Sequence, residues 1–121
     1  MFPRATYDIV ADRYTPHSDY IVVEGYDLSG ASFSMQVRDD TNDGALRATA
    51  SVSVQVEDVD GISVSTVTWT IPEGTMKNLP TEPSDPSADA VLRYDMHITP
   101  SGLPKFVAWG GKFTVRAGVT K

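Results

Sequence analysis

Apolar and polar side chains alternate along most of this chain. Phe33, Met35 and Val37 fall on one side of a run whose other side carries Ser32, Ser34, Gln36 and Arg38. That is the period-two pattern of a strand with one buried face. The turn before it, Gly25 to Gly30, contains Asp27, Ser29 and two glycines, residues that tolerate tight or left-handed backbone. The longest alternation places Ala48, Ala50, Val52, Val54 and Val56 inward, against Thr49, Ser51, Ser53, Gln55 and Glu57 outward. Asp60-Gly61 is a strong hairpin signal. Ile62 and Val64 resume the alternation, but Val67, Trp69 and Ile71 continue it on the opposite parity, so a bulge is expected near Ser65-Thr66.

The other segments follow the same logic. Tyr7 to Ala11 reads as a short first edge strand, broken by Thr15-Pro16-His17-Ser18-Asp19. Tyr20 to Glu24 is β-branched and nearly all apolar, as in a strand covered on both faces or one at a sheet corner. Leu92, Tyr94, Met96 and Ile98 alternate with Arg93, Asp95, His97 and Thr99. A strand near Lys105 to Trp109, a Gly110-Gly111 turn and a strand over Lys112 to Arg116 complete the series. Pro72 to Pro80 is the helix candidate: Pro72 suits a first helical position, Pro80 stops the run, and Met76 and Leu79 are placed to plug a core. Thr81 to Asp89, with Pro83 and Pro86, reads as a flexible surface loop. The whole predicts an all-β fold, an immunoglobulin-like β-sandwich of about 7–9 strands with one helical turn near Pro72–Leu79.

Length adds the expectation of a single domain over 1–121, with 1–6 and 121 as loose ends. There is no cysteine, which removes disulfides, thiolate metal sites and a cysteine nucleophile. Sixteen acidic against ten basic residues give a net charge of -6, unfavourable to direct nucleic-acid binding. No apolar run approaches the ~20 residues of a membrane span, so no membrane insertion is expected. The first residues lack the basic start and apolar core of a signal peptide.

Candidate chemistry is thin. His97 lies on a strand with Asp95 on the same face and serines nearby, but no strained serine elbow accompanies it, and it reads as a surface histidine. Asp39, Asp40, Asp43 and Gly44 look like the start of a calcium loop. Thr41 at the third position and Ala50 at the twelfth break the pattern, leaving a turn. Asp95, Glu57, Asp58 and Asp60 are the carboxylates a glycoside hydrolase could pair; each reads as a strand-face or turn residue. Gly110-Gly111-Lys112 lacks the remaining marks of a phosphate loop. His17 and His97 are too few for a histidine-rich zinc site. Trp69 shares the parity of Val67 and Ile71 and reads as core. Trp109 is expected at the edge of the core, partly exposed, where it could serve a carbohydrate platform. No catalytic, cofactor-binding or metal-binding residue is assigned.

The order of these landmarks carries a resemblance. Tyr26-Asp27-Leu28-Ser29-Gly30-Ala31-Ser32-Phe33-Ser34-Met35-Gln36-Val37-Arg38 resembles the "D-L-[ST]-G-x-x-[FV]-x-x-Q-[VI]-R" run of small β-sandwich modules in tailed bacteriophages and prophages. Val67 to Ile71 with Thr75-Met76 and Leu79-Pro80 is similar to their strand and helical turn. Leu92 to Gly102 resembles their Tyr-Asp hairpin, and Gly111 to Val115 with Gly118-Val119-Thr120 their closing strand. Those modules include N-terminal attachment domains of upper baseplate and tail-fibre proteins.

The resemblance implies a non-enzymatic virion structural protein. It would be a tail, baseplate or tail-fibre attachment component acting by protein–protein contact, assembled in the host bacterial cytoplasm. Other virion proteins would be its partners, with a homo-oligomer in a symmetric assembly and no cofactor. The first strand, Tyr7 to Ala11, and the loop Thr81 to Asp89 are the expected contact sites. Alternatives are a phage head decoration or head-fibre protein and a glycan-binding module for host-surface adhesion.

Overall fold

A computed structural model of the chain describes residues 5–40, 44–81, 84–85 and 87–117. Its strands are β1 (Ala5–Thr6), β2 (Ile9–Asp12), β3 (His17–Glu24), β4 (Ser32–Asp39), β5 (Leu46–Val59), β6 (Ile62–Ile71), β7 (Ala90–Thr99) and β8 (Phe106–Arg116). One short helix, α1 (Glu73–Lys77), lies between β6 and β7. The expected all-β fold class, with its single helical turn, is what forms. Both faces of the fold belong to one curled sheet of order β1-β8-β7-β4-β5-β6-β3, with β2 also on β8.

The long strand β5 makes the curl possible. Its first residues pair with β4, up to Ala50 opposite Met35. From Ser51 onward it pairs with β6. The sheet thereby folds over, and the two halves meet through their apolar faces. Trp69 on β6 lies 6.2 Å, ring centre to ring centre, from Trp109 on β8. His17 on β3 stands edge-on to Phe113 of β8 at 5.4 Å. Met35, Val37, Val67, Trp69, Met96, Phe113 and Val115 are buried at the centre. Each such side chain contributes roughly 1.5–3 kcal/mol by leaving water.

The alternations over 33–37, 48–56 and 92–98 face as expected. Ala48 and Ala50 are buried and Val52 to Val56 half-buried, while Leu92, Tyr94, Met96 and Ile98 are core. The Asp60-Gly61 hairpin forms with φ of 54° and 83°, the paired left-handed geometry that matches strand twist. Pro72 caps α1 with extended backbone and takes the Thr75 and Met76 amides on its carbonyl, while Met76 and Leu79 are buried beneath. Of the Thr81 to Asp89 loop, Thr81, Ser84, Asp85 and Ser87 are exposed; Glu82, Pro83 and Pro86 lie outside the described residues.

Four expectations are corrected. No bulge occurs near Ser65-Thr66, because β6 pairs in unbroken register with β3 and β5. Ile62 and Val64 face outward, and the inward row carries a hydroxyl where an apolar residue is expected: Ser65 is fully buried. Its Oγ donates to the Tyr26 carbonyl at 2.7 Å and accepts the Leu28 amide at 3.0 Å. It thereby substitutes for an apolar core residue while fixing the Gly25–Gly30 turn.

Secondly, Tyr20 to Glu24 is not covered on both faces. It belongs to β3, at the end of the sheet order, and Tyr20 and Val22 are 59% and 47% exposed. Thirdly, Gly110-Gly111 is no turn. Strand β8 runs straight through it, and its irregularity lies opposite Met96/His97, where Ala108 is the extra residue. The extra residue lets Ala108 and Trp109 both enter the core.

Fourthly, the first edge strand is not one piece over Tyr7 to Ala11. It is β1 and β2, both parallel to β8 and in one continuous register, interrupted at Tyr7-Asp8. Side chains fill the interruption. Asp8 Oδ1 accepts the Lys112 amide at 2.9 Å, the Tyr7 amide bonds the Gly110 carbonyl at 2.9 Å, and the Tyr94 hydroxyl donates to the Tyr7 carbonyl.

Candidate functional site

The chemistry-bearing residues of the sequence gather mostly on the outer face of β4 and β7. Register sets Ser34 opposite His97 and Gln36 opposite Asp95. Antiparallel neighbours share a face, so these side chains line an open groove of about 290 Å³ with Arg38, Asp39 and Arg93. A second groove, about 360 Å³, continues from Arg93 and Asp95 past Gly110, Gly111 and Lys112.

The arginines here have defined partners. Arg38 donates to Gln36 Oε1 at 2.6 Å and to the Gly44 carbonyl at 2.9 Å. Arg47 grips both oxygens of Asp39 at 2.8 and 2.7 Å, which holds that carboxyl below the usual carboxylate range. Arg93 lies 3.6 Å from Asp40. His97 is half-buried, and although it lies opposite Ser34, no hydrogen bond joins the two side chains among the described residues. The groove is therefore a charge-balanced strand face without an assembled nucleophile, base and orienting group.

The remaining candidates are dispersed. Glu57, Asp58 and Asp60 sit at the tip of the β5–β6 hairpin, where Asp58 Oδ1 accepts the Gly61 amide at 2.9 Å. Asp95 is on β7 in the other half of the sheet, so the fold does not bring it to that tip. Of the calcium-like run, Asp39 and Asp40 are paired as above, and Asp43 lies outside the described residues. Among the described residues no cluster of three histidine or carboxylate groups forms that could hold a metal ion. Trp109, expected to be partly exposed, is 2% exposed and abuts Trp69, so it offers no face to a sugar. Its indole N–H has no hydrogen-bond partner among the described residues. Trp69 is core, as expected.

Two buried polar side chains escaped sequence reasoning. His17 Nε2 accepts the Trp69 indole N–H at 3.1 Å, which fixes a neutral ring carrying its proton on Nδ1. Burial pushes its pKa down, against a smaller upward pull from Asp19. Arg13 is 5% exposed and donates to the Leu79 carbonyl at 2.5 Å and the Pro80 carbonyl at 2.9 Å, tying the exit of α1 to the strand β2. His17 lies in the Thr15 to Asp19 run that composition marks as a turn, although β3 already begins at His17, and Arg13 lies in the short link before that run, so no periodicity announced either. Nearby, the Tyr7 hydroxyl donates to Asp19 at 2.9 Å and its pKa is raised by that bond. This bond ties the β1–β2 junction to β3 where the curl nearly closes.

What the surface does offer is contact area. Tyr20, Val22, Val59 and Ile62 are large, apolar and exposed on the β3–β6–β5 half. No helix among the described residues is long and apolar enough to cross a membrane. No family model and no curated protein matches the chain.

Proposed function

We propose that this chain is a non-enzymatic structural protein of a tailed-bacteriophage particle. In this reading it is a tail, baseplate or tail-fibre attachment component that works by protein–protein contact. The observation that carries the reading is where the resembling residues lie. They occupy the Gly25–Gly30 turn and β4, then β6 and α1, then β7, then β8, and their inward members Met35, Trp69, Met76, Tyr94 and Phe113 are core. The resemblance thus runs through the elements that define the fold. Apolar side chains on an open sheet edge are a second support, since such edges suit contact with other subunits. The protein would assemble in the host cytoplasm, in a symmetric array beside other virion proteins.

Mass spectrometry of purified virions, followed by electron microscopy with this chain traced in the particle map, tests the reading. The expected result is density for the chain in the tail or baseplate. Absence from the particle in both measurements would overturn it.

A further inference from the structure

We propose that the outer face of β3, β6 and the C-terminal half of β5 is a docking surface for a basic, partly apolar segment of a different protein. The face is read directly from register. Tyr20, Val22 and Glu24 lie opposite Thr68, Thr66 and Val64 of β6, which in turn lie opposite Ser53, Gln55 and Glu57 of β5. Ile62 and Val59 form the last pair before the hairpin turn. All share one side of the sheet. Val59 and Ile62 are 47% and 53% exposed, beside the exposed Tyr20 and Val22.

The edge is also open in its backbone. The Gly25 amide bonds the Ser63 carbonyl of the β6 side at 2.8 Å, so odd-numbered β3 residues address β6 and even-numbered ones face away. Tyr20 is even-numbered, and its amide is met by the neighbouring Asp19 carboxylate at 2.8 Å. The backbone groups of Val22 and Glu24 point outward without a partner strand among the described residues. An incoming strand can therefore add main-chain bonds beside Val22 while its side chains meet the apolar face.

Charge identifies the occupant. From Tyr14 to Val37 and from Ala48 to Met76 the sequence contains no lysine or arginine. Glu24 and Glu57 flank Val64, one on each side, about 10 Å apart by strand spacing. Asp58 and Asp60 add to the field at the tip. A lysine or arginine can lay its aliphatic stem over Val64 and its charge between the two glutamates. A second copy of this chain is a poor occupant. Face to face it would oppose carboxylate to carboxylate; of the arginines on its opposite face, Arg47, Arg93 and Arg116 are already paired with Asp39, Asp40 and Asp12, and Arg38 is held by Gln36 and the Gly44 carbonyl.

The inference deepens the reading above by naming a face and a partner chemistry, but its test uses the isolated full chain. A short peptide of alternating lysine and valine is titrated into labelled protein, with a glutamate–valine peptide in parallel, and amide shifts are followed by NMR. Shifts confined to β3 and the β5–β6 hairpin are expected with the basic peptide alone, weakening as salt rises. The variant Glu24→Gln with Glu57→Gln should bind roughly tenfold more weakly, and Ile62→Ser also more weakly. These positions are exposed, so an unchanged starting spectrum confirms that each variant folds.

No shifts, shifts on the β4–β7 groove instead, or equal response to both peptides would overturn the proposal. So would concentration-dependent shifts of the same face without peptide, which would identify a second copy as the occupant. Failure here leaves the particle reading to be judged by virion mass spectrometry.

Discussion

Replacing Gly111 with alanine isolates what holds the first strand onto the last. A Cβ at this position would stand 2.5 Å from Asp8 Oδ1, 3.0 Å from the Tyr7 carbonyl oxygen and 3.2 Å from its carbon. Asp8 must swing away, which forfeits its bond to the Lys112 amide. The Tyr7 backbone must then withdraw, which strains the bonds from Tyr94 and to Gly110. The charge-assisted bond is worth about 1.5–3 kcal/mol and each neutral one about 1 kcal/mol. Alanine returns about 0.4–1 kcal/mol by restricting the unfolded chain. The net expectation is a loss of roughly 2–4 kcal/mol.

Urea denaturation gives the stability, and hydrogen exchange at the Tyr7 and Lys112 amides locates the damage. Gly61→Ala is the contrasting variant. Its Cβ would meet open space, but φ of 83° makes any side chain costly, by roughly 1–2 kcal/mol. It should leave the N-terminal amides as protected as before. Unchanged stability in Gly111→Ala, with the Lys112 amide still protected, would refute the account of a sterically seated strand.

Arg13→Met should cost about 2–4 kcal/mol in denaturant unfolding, because it removes both donors from the Leu79 and Pro80 carbonyls; Arg13→Lys, with a single point of attachment, should rescue only part. Ser65→Ala leaves the Tyr26 carbonyl and the Leu28 amide short of a partner and should destabilise by roughly 1–3 kcal/mol, with lost exchange protection at Leu28. For His17 the folded pKa lies below the unfolded value of 6.5. The unfolded chain therefore takes the proton first, so stability is full above pH 6.5 and falls as pH drops from there towards the folded pKa. Thermal unfolding across that range should show the slope, and His17→Phe should flatten it.

Much of the fold was legible because its strands have one wet face. Where that held, as over Leu92 to Ile98, alternation located both strand and core. It failed where one residue served two demands. Ser65 is a polar side chain at a core position because the Tyr26 carbonyl and Leu28 amide need it, and a polar residue at a core position mimics a bulge in the alternation. Gly110 and Gly111 carry no turn geometry; they are glycines because Tyr94, Asp95, Tyr7 and Asp8 come too close for a side chain. Tyr20 and Val22 looked like core because composition cannot tell an apolar residue that is buried from one that is presented. For the candidate site, sequence reasoning rightly assigned His97 and Asp95 to a strand face. The histidine and arginine with defined buried partners, His17 and Arg13, lay where no periodicity points.

The parallel seating of β1 and β2 along β8 also sets how the protein bears load. Pulling the outer ends of these strands apart would slide them lengthwise past each other, so the ladder from Ala5–Trp109 to Asp12–Arg116 would be strained together instead of opening one bond at a time. Tension entering along β1–β2 and β8 from opposite ends would meet the fold in shear, its mechanically stiff direction, whereas tension separating Ser51 from Thr70 would unzip the β5–β6 hairpin bond by bond towards its turn.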